Sequence, residues 1–167
     1  MIDHFARLGL PRRFAVDAAE LERQYLARSR ATHPDHHASG ASAELAASVG
    51  LSAELNEAYR VLRDPFARAE HLLALSGGPS AADRKEMPPA FLMEMLEARE
   101  QVEEVLAENP PCDARKVELL AGFQSRYDEL FAEVAESFAK PTPDLNAVRE
   151  RLNAVKYVKG LLRDLDG

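Results

Sequence analysis

Between its proline-containing breaks, this chain repeats its apolar residues at helical spacing almost everywhere, and few stretches alternate with a period of two. β-branched residues are scarce, which further disfavours strands. Proline lacks the backbone N–H that a helix interior needs and pushes the preceding residue toward extended geometry. The breaks therefore delimit the elements, and an all-α fold is expected. Helices are predicted over residues 3–8, 17–31, 41–63, 66–75, 90–108, 113–139 and 144–166. Asp17-Ala18-Ala19-Glu20 has the pattern of a capping box and opens the second of them. Its expected apolar side carries Leu21, Tyr25 and Leu26; that of the third helix carries Leu45, Val49, Leu55, Tyr59 and Leu62.

Ser76-Gly77-Gly78-Pro79-Ser80 is the strongest linker signal, and Met87-Pro88-Pro89 is a second break. The expected organisation is an N-terminal helical unit over 1–75, a linker over 76–89, and a three-helix bundle over 90–167. With 46% hydrophobic and 29% charged residues, the 167-residue chain can build packed cores and is not a disordered type.

The net charge of −7 argues against nucleic-acid binding through phosphates. The charge is uneven: residues 1–75 carry 9 basic and 10 acidic side chains, and residues 76–167 carry 12 and 18. The acidity belongs to the second part. A single cysteine, Cys112, excludes an internal disulfide and a four-cysteine zinc site. No apolar run approaches the roughly 20 residues that span a bilayer, so no membrane association is expected. Met1-Ile2-Asp3-His4 shows no signal-peptide pattern, and a cytoplasmic protein is the expectation. Arginine outnumbers lysine and alanine is abundant, a base-composition bias that suggests a bacterial source.

His33-Pro34-Asp35 interrupts two amphipathic helices. A tripeptide alone says little, but here the second helix ends in Leu55-Asn56-Glu57-Ala58-Tyr59-Arg60-Val61-Leu62-Arg63-Asp64-Pro65. The whole pattern resembles the J-domain family. In that family the helix pair forms an antiparallel finger with the tripeptide at its tip. On the first helix of the pair, Arg23, Gln24, Ala27 and Arg30 lie roughly opposite Leu21, Tyr25 and Ser29, with Arg28 at the edge. Two readings stand: a solvated face, or a basic docking face for an acidic ATPase surface. The tripeptide beside it favours docking. His33, His36 and His37 cluster in the same loop, with Asp35 among them. A metal site, or a metal-dependent enzyme built on it, would need three or four ligands held by a scaffold. No nucleophile or pocket signal accompanies the cluster, so neither metal, cofactor nor enzymatic activity is expected.

The helix over 90–108 carries two apolar sets. Phe91, Met95, Ala98, Val102 and Val105 follow the 4-3-4-3 spacing of a bundle seam. Leu92, Met93 and Leu96 lie off it: with Leu92 at 0°, Leu96 falls at about 40°, Met93 at about 100° and the seam near 260°. Glu100, Glu104 and Glu97 continue this second face at about 80°, 120° and 140°. Either the helix is buried on two sides, or this face takes a partner, with apolar anchors and acidic steering. In the last helix Val148, Leu152, Val155, Val158, Leu162 and Leu165 form the expected inner stripe. Tyr157 points away from it, as a surface residue or as part of the same patch.

Arg68-Ala69-Glu70-His71-Leu72-Leu73 and Phe91-Leu92-Met93-Glu94-Met95-Leu96-Glu97, added to the tripeptide, make nearly the whole chain similar to the HscB family of J-proteins. The glycine/phenylalanine linker and zinc-binding cysteines of general J-proteins are missing. The resemblance implies a co-chaperone, not an enzyme. It would deliver an iron–sulfur cluster scaffold of the IscU type to a heat-shock-70-type ATPase of the HscA type, and stimulate that ATPase. It implies scaffold binding by Leu92, Met93, Leu96, Glu97, Glu100, Glu104 and Tyr157, the last often phenylalanine in the family. It implies ATPase binding through His33, Pro34, Asp35 and the docking face. The missing cysteine-bearing extension and transit peptide of some eukaryotic members favour a bacterial one.

Overall fold

The computed structural model describes residues 2–31, 42–108 and 113–166. The His33-Pro34-Asp35 loop, His36, His37 and Cys112 lie outside the described residues, and so does the side chain of Leu45. Among the described residues every regular element is a helix: α1 (His4–Leu8), α2 (Ala18–Ala31), α3 (Ser42–Arg63), α4 (Pro65–Leu75), α5 (Pro89–Ala107), α6 (Asp113–Ala139) and α7 (Leu145–Asp166). The chain divides into two compact units, Met1–Ser76 and Gly77–Gly167.

In the first unit, local chemistry sets the ends of short helices. Asp3 Oδ1 accepts the Ala6 N–H at 3.2 Å and opens α1. Gly9 closes it in the left-handed conformation, φ 69°, while Leu10 N–H reaches back to the Phe5 carbonyl at 2.9 Å. Asp17 Oδ1 accepts the Glu20 N–H at 2.7 Å, one half of the expected box. The Glu20 carboxylate instead takes Gln24 Nε2 and pairs with Arg23. Asp64 caps α4, with Pro65 in the first turn where a missing N–H costs nothing.

α2 and α3 run antiparallel. Tyr25 stacks on Tyr59 with centroids 4.4 Å apart and donates its hydroxyl to Asn56 Oδ1 at 2.8 Å, while Ala31 and Arg28 border a cleft with Leu51 and Leu55. Phe5, Leu8, Leu21, Leu62 and Leu73 form the core that α1 to α4 enclose. Two expected core positions are exposed: Leu26 on α2 and Val49 on α3. Ala58 and Val61 are buried, at helical spacing with Leu55 and Leu62 on α3.

In the second unit, Asp144 caps α7 through the N–H groups of Asn146 and Ala147, and α7 lies against both α5 and α6. Val148, Leu152, Val155, Val158 and Leu165 are buried as expected. Leu162 is only half-buried, although it lies seven residues on from Val155; its neighbour Leu161, seven residues on from the buried Ala154, is the fully buried one. Arg149 is fully buried, 0% exposed, and donates Nε to Asn153 Oδ1 at 2.9 Å. The Asn153 amide in turn donates to the carbonyls of Arg84 and Glu86, both at 3.1 Å, and Arg84 pairs with Glu150 at 2.5 Å. Part of the stretch expected as a linker is thus hydrogen-bonded onto α7.

Candidate functional site: the outward face of the fifth helix

α5 begins immediately after Pro88, whose carbonyl accepts the Leu92 N–H at 3.1 Å. Its seam is the expected one: Phe91, Met95, Ala98, Val102 and Val105 are all buried. One residue further along each step, the side chains are in solvent. Leu92, Met93 and Leu96 are 46%, 64% and 57% exposed. Three large apolar side chains thus stand in solvent on two turns of one helix, with a complete core face behind them.

Glu97, Glu100 and Glu104 are exposed beside the patch. Glu104 meets Arg115 of α6 at 3.3 Å, and Arg115 also pairs with Glu108. Tyr157 of α7 is half-buried in a cleft of about 330 Å³ whose walls include Arg99, Lys156 and Gly160. Arg99 faces both helices: its Nε donates to Glu103 Oε1 at 3.1 Å, and its side chain lines the same cleft as Tyr157. The carboxylate of Glu103 first, and the tyrosine oxygen second, raise the Arg99 pKa above its ordinary value. Tyr157 therefore flanks the Leu92 and Leu96 side of α5, since Arg99 falls about 20° from Leu92 on the helical wheel.

Sequence reasoning missed Arg99, Glu103 and Leu106. Its signal was available: 92, 96, 99, 103 and 106 repeat the seam's 4-3-4-3 spacing shifted by one residue, and Leu106 is exposed like Leu92.

In the first unit α2 brings Arg23, Ala27 and Arg30 to an exposed face, with Gln24 half-buried. Arg23 is paired with Glu20. Arg28 turns the other way, so that its guanidinium lies over Gly9. Among the described residues no group of three or more His, Cys, Asp or Glu side chains could hold a metal ion. No described helix is long and apolar enough to cross a membrane.

The family profile described as the HSCB C-terminal oligomerisation domain matches residues 87–166. The co-chaperone protein HscB homolog of Azoarcus sp. (strain BH72) is 33% identical over 165 residues, covering 98% of this chain and 92% of that protein. The chain belongs to the HscB family. The HscB homolog of Vibrio vulnificus (strain YJ016) is 29% identical over 168 residues, 99% of this chain and 95% of that one. Among solved structures, chaperone HscB from Vibrio cholerae superposes with a TM-score of 0.82 at 28% identity, covering 99% of this chain and 96% of its own. Human co-chaperone HscB gives 0.85 at 27% identity, covering 99% of this chain and 81% of its own. The fold is the HscB one, an N-terminal J-domain and a C-terminal helical bundle.

Proposed function

We propose that this chain is a co-chaperone that presents an iron–sulfur cluster scaffold protein of the IscU type to a heat-shock-70-type chaperone of the HscA type, and stimulates that chaperone's ATPase in the bacterial cytoplasm. The observation that carries the reading is the division of α5 into a fully buried seam and an exposed Leu92-Met93-Leu96 patch bordered by carboxylates. The apolar anchors supply the binding surface, and Glu97, Glu100 and Glu104 steer a cationic client toward it. Tyr157 adds an aromatic wall from α7.

The J-domain supplies the second activity. His33-Pro34-Asp35 and the Arg23, Gln24, Ala27, Arg28 and Arg30 region bind the ATPase and favour its hydrolysing conformation, which requires tighter binding to that state. With both partners on one chain, the client's effective concentration at the chaperone rises without any new contact. The co-chaperone does no bond-making chemistry itself.

Single-turnover ATP hydrolysis by the chaperone, with and without scaffold, tests the reading. His33→Gln and Asp35→Asn should abolish stimulation yet still bind the scaffold. Undiminished stimulation by either variant would sink the ATPase half, and a parent protein that does not bind the scaffold would sink the client half.

A further inference from the structure

The opposite edge of α5 borders a second concave surface. Between α5 and α6 runs an open groove of about 460 Å³. Its rim carries Glu94 and Glu97 from α5 and Glu118 and Glu129 from α6, against the single guanidinium of Arg126. Its floor is apolar, with Ala98, Leu119, Gly122 and Phe123. Ion pairs stand at both ends: Arg126 holds Glu94 at 2.9 Å at one, and Arg115 meets Glu104 at 3.3 Å at the other. The ten-residue step along α5 from Glu94 to Glu104 spans roughly 15 Å.

Gly122 is the odd residue in this surface. It sits in the middle of a 27-residue helix, where glycine weakens the helix relative to alanine. Its φ is not positive, so no turn or cap requires it. A Cβ built there meets nothing within 4 Å, so no neighbour within the chain requires it either. What the glycine does provide is depth: it keeps the groove floor open between the two glutamate-bearing rims.

We infer that this groove seats a lysine- or arginine-bearing amphipathic segment of the same client that covers the α5 patch. The inference rests on the client reading above. Charge chooses the occupant: four rim carboxylates face one arginine, and that arginine is already shared by Glu94 and Glu129. A second copy of this chain is disfavoured, because residues 76–167 carry 18 acidic against 12 basic side chains. Continuity supports the client itself. Glu97 stands both on the rim and beside Met93, so a chain leaving the patch meets the groove at its first carboxylate. Apolar side chains of the segment would lie over Gly122 and Phe123 while its cationic ones meet Glu97 and Glu118, a helix-in-groove arrangement.

The test uses the full chain and a purified IscU-type scaffold, with affinity measured at two salt concentrations and thermal stability measured beside it. Gly122→Leu, which fills the groove, should melt no lower than the parent and bind the scaffold at least tenfold more weakly. Glu118→Lys, on an exposed rim position, should weaken binding severalfold at low salt and less at high salt. Parent-like affinity in both variants, with binding lost only in the Leu92, Met93 and Leu96 alanine variant, overturns the groove assignment and leaves the client reading intact. A parent that fails to bind the scaffold overturns both. Should Gly122→Leu unfold, Glu118→Lys alone decides.

Discussion

His71 Nε2 accepts the backbone N–H of His4 at 3.1 Å, and the two imidazole rings lie with centroids 4.4 Å apart, tying the start of α1 to α4. A ring nitrogen can accept only while it is unprotonated. Burial comes first in holding both histidines below their ordinary value of 6.5, and the neighbouring cation of Arg7 adds to it for His4, as does the His4 ring for His71. The carboxylates of Asp3 and Glu57 oppose the shift and do not overturn it. The folded state thus binds fewer protons than the unfolded chain just below that value. The stabilisation is complete above about pH 6.5 and declines as pH falls through the lowered folded-state values. Thermal melts of the isolated J-domain should therefore drop between pH 7 and pH 5. His71→Gln keeps an acceptor but cannot titrate, and should flatten the profile; an unchanged slope would refute the assignment.

Truncating the patch should separate binding from stability. Leu92→Ala, Met93→Ala and Leu96→Ala together should lower stability by less than about 1.5 kcal/mol, since exposed substitutions typically cost within about 0.5 kcal/mol each. Loss of buried interface anchors typically costs about 2 kcal/mol or more each, so scaffold affinity should fall by well over tenfold. Met95→Ala, on the seam, should do the reverse and cost about 2–5 kcal/mol of stability. Chemical denaturation and isothermal titration on the same preparations give both numbers.

The aromatic ring, not the hydroxyl, of Tyr157 should matter to the client. Tyr157 shares its cleft with Arg99, a cation within the chain. Tyr157→Phe should leave scaffold affinity within about twofold, an amount below about 0.5 kcal/mol. Tyr157→Ala should weaken it by several times more, because it removes the wall beside Leu92 and Leu96. Equal losses for both variants would transfer the role to the hydroxyl.

Removing the Asn153 amide should free the segment it holds. Arg149 is fully buried and loses an acceptor, and the Arg84 and Glu86 carbonyls lose their donor. Hydrogen bonds to charged groups are worth about 1.5–3 kcal/mol, so Asn153→Ala should destabilise the second unit by about that much. Hydrogen exchange should rise over residues 80–88 beyond the change elsewhere in the bundle. Uniform protection in parent and variant would show that Arg84 and Glu150 hold the segment unaided.

Gly9→Ala should weaken the J-domain from its first turn. Gly9 has a φ of 69°, a conformation that costs other L-residues about 1–2 kcal/mol. The added methyl would also run into the Arg28 guanidinium. Combining it with Arg28→Ala should relieve the collision and leave the backbone cost, which a comparison of the two melting temperatures measures.

Much of the second unit was legible because α5 writes its core in one uninterrupted 4-3-4-3 pattern, with an apolar residue at every step. The remainder of that helix was read only in part. Leu92 and Leu96 stand out as apolar, but Arg99 and Glu103 continue their stripe in polar residues, which a hydrophobic pattern passes over. On α7 the sequence offers two adjacent leucines for one place, and Leu161 rather than Leu162 is the fully buried one. Arg149 defeats hydrophobic reasoning altogether: it is fully buried and donates to Asn153, four residues on, whose amide in turn holds backbone carbonyls far earlier in the chain. Leu26 and Val49 were assigned to the core by periodicity alone, although a small domain has too little interior for every apolar residue.

The two faces of α5 share a backbone but answer to different pressures. A change at position 95 or 102 alters how much folded protein a cell holds, and would register in any assay of abundance or solubility. A change at 92, 93 or 96 would not, since the core behind it is closed. A library of variants sorted only for folded protein should therefore come back almost blind at those three positions, admitting polar and charged residues freely. The same library sorted for client capture should restrict them as tightly as the seam. The gap between the two maps, taken position by position along nineteen residues, would outline the working surface of this helix without a structure of the complex.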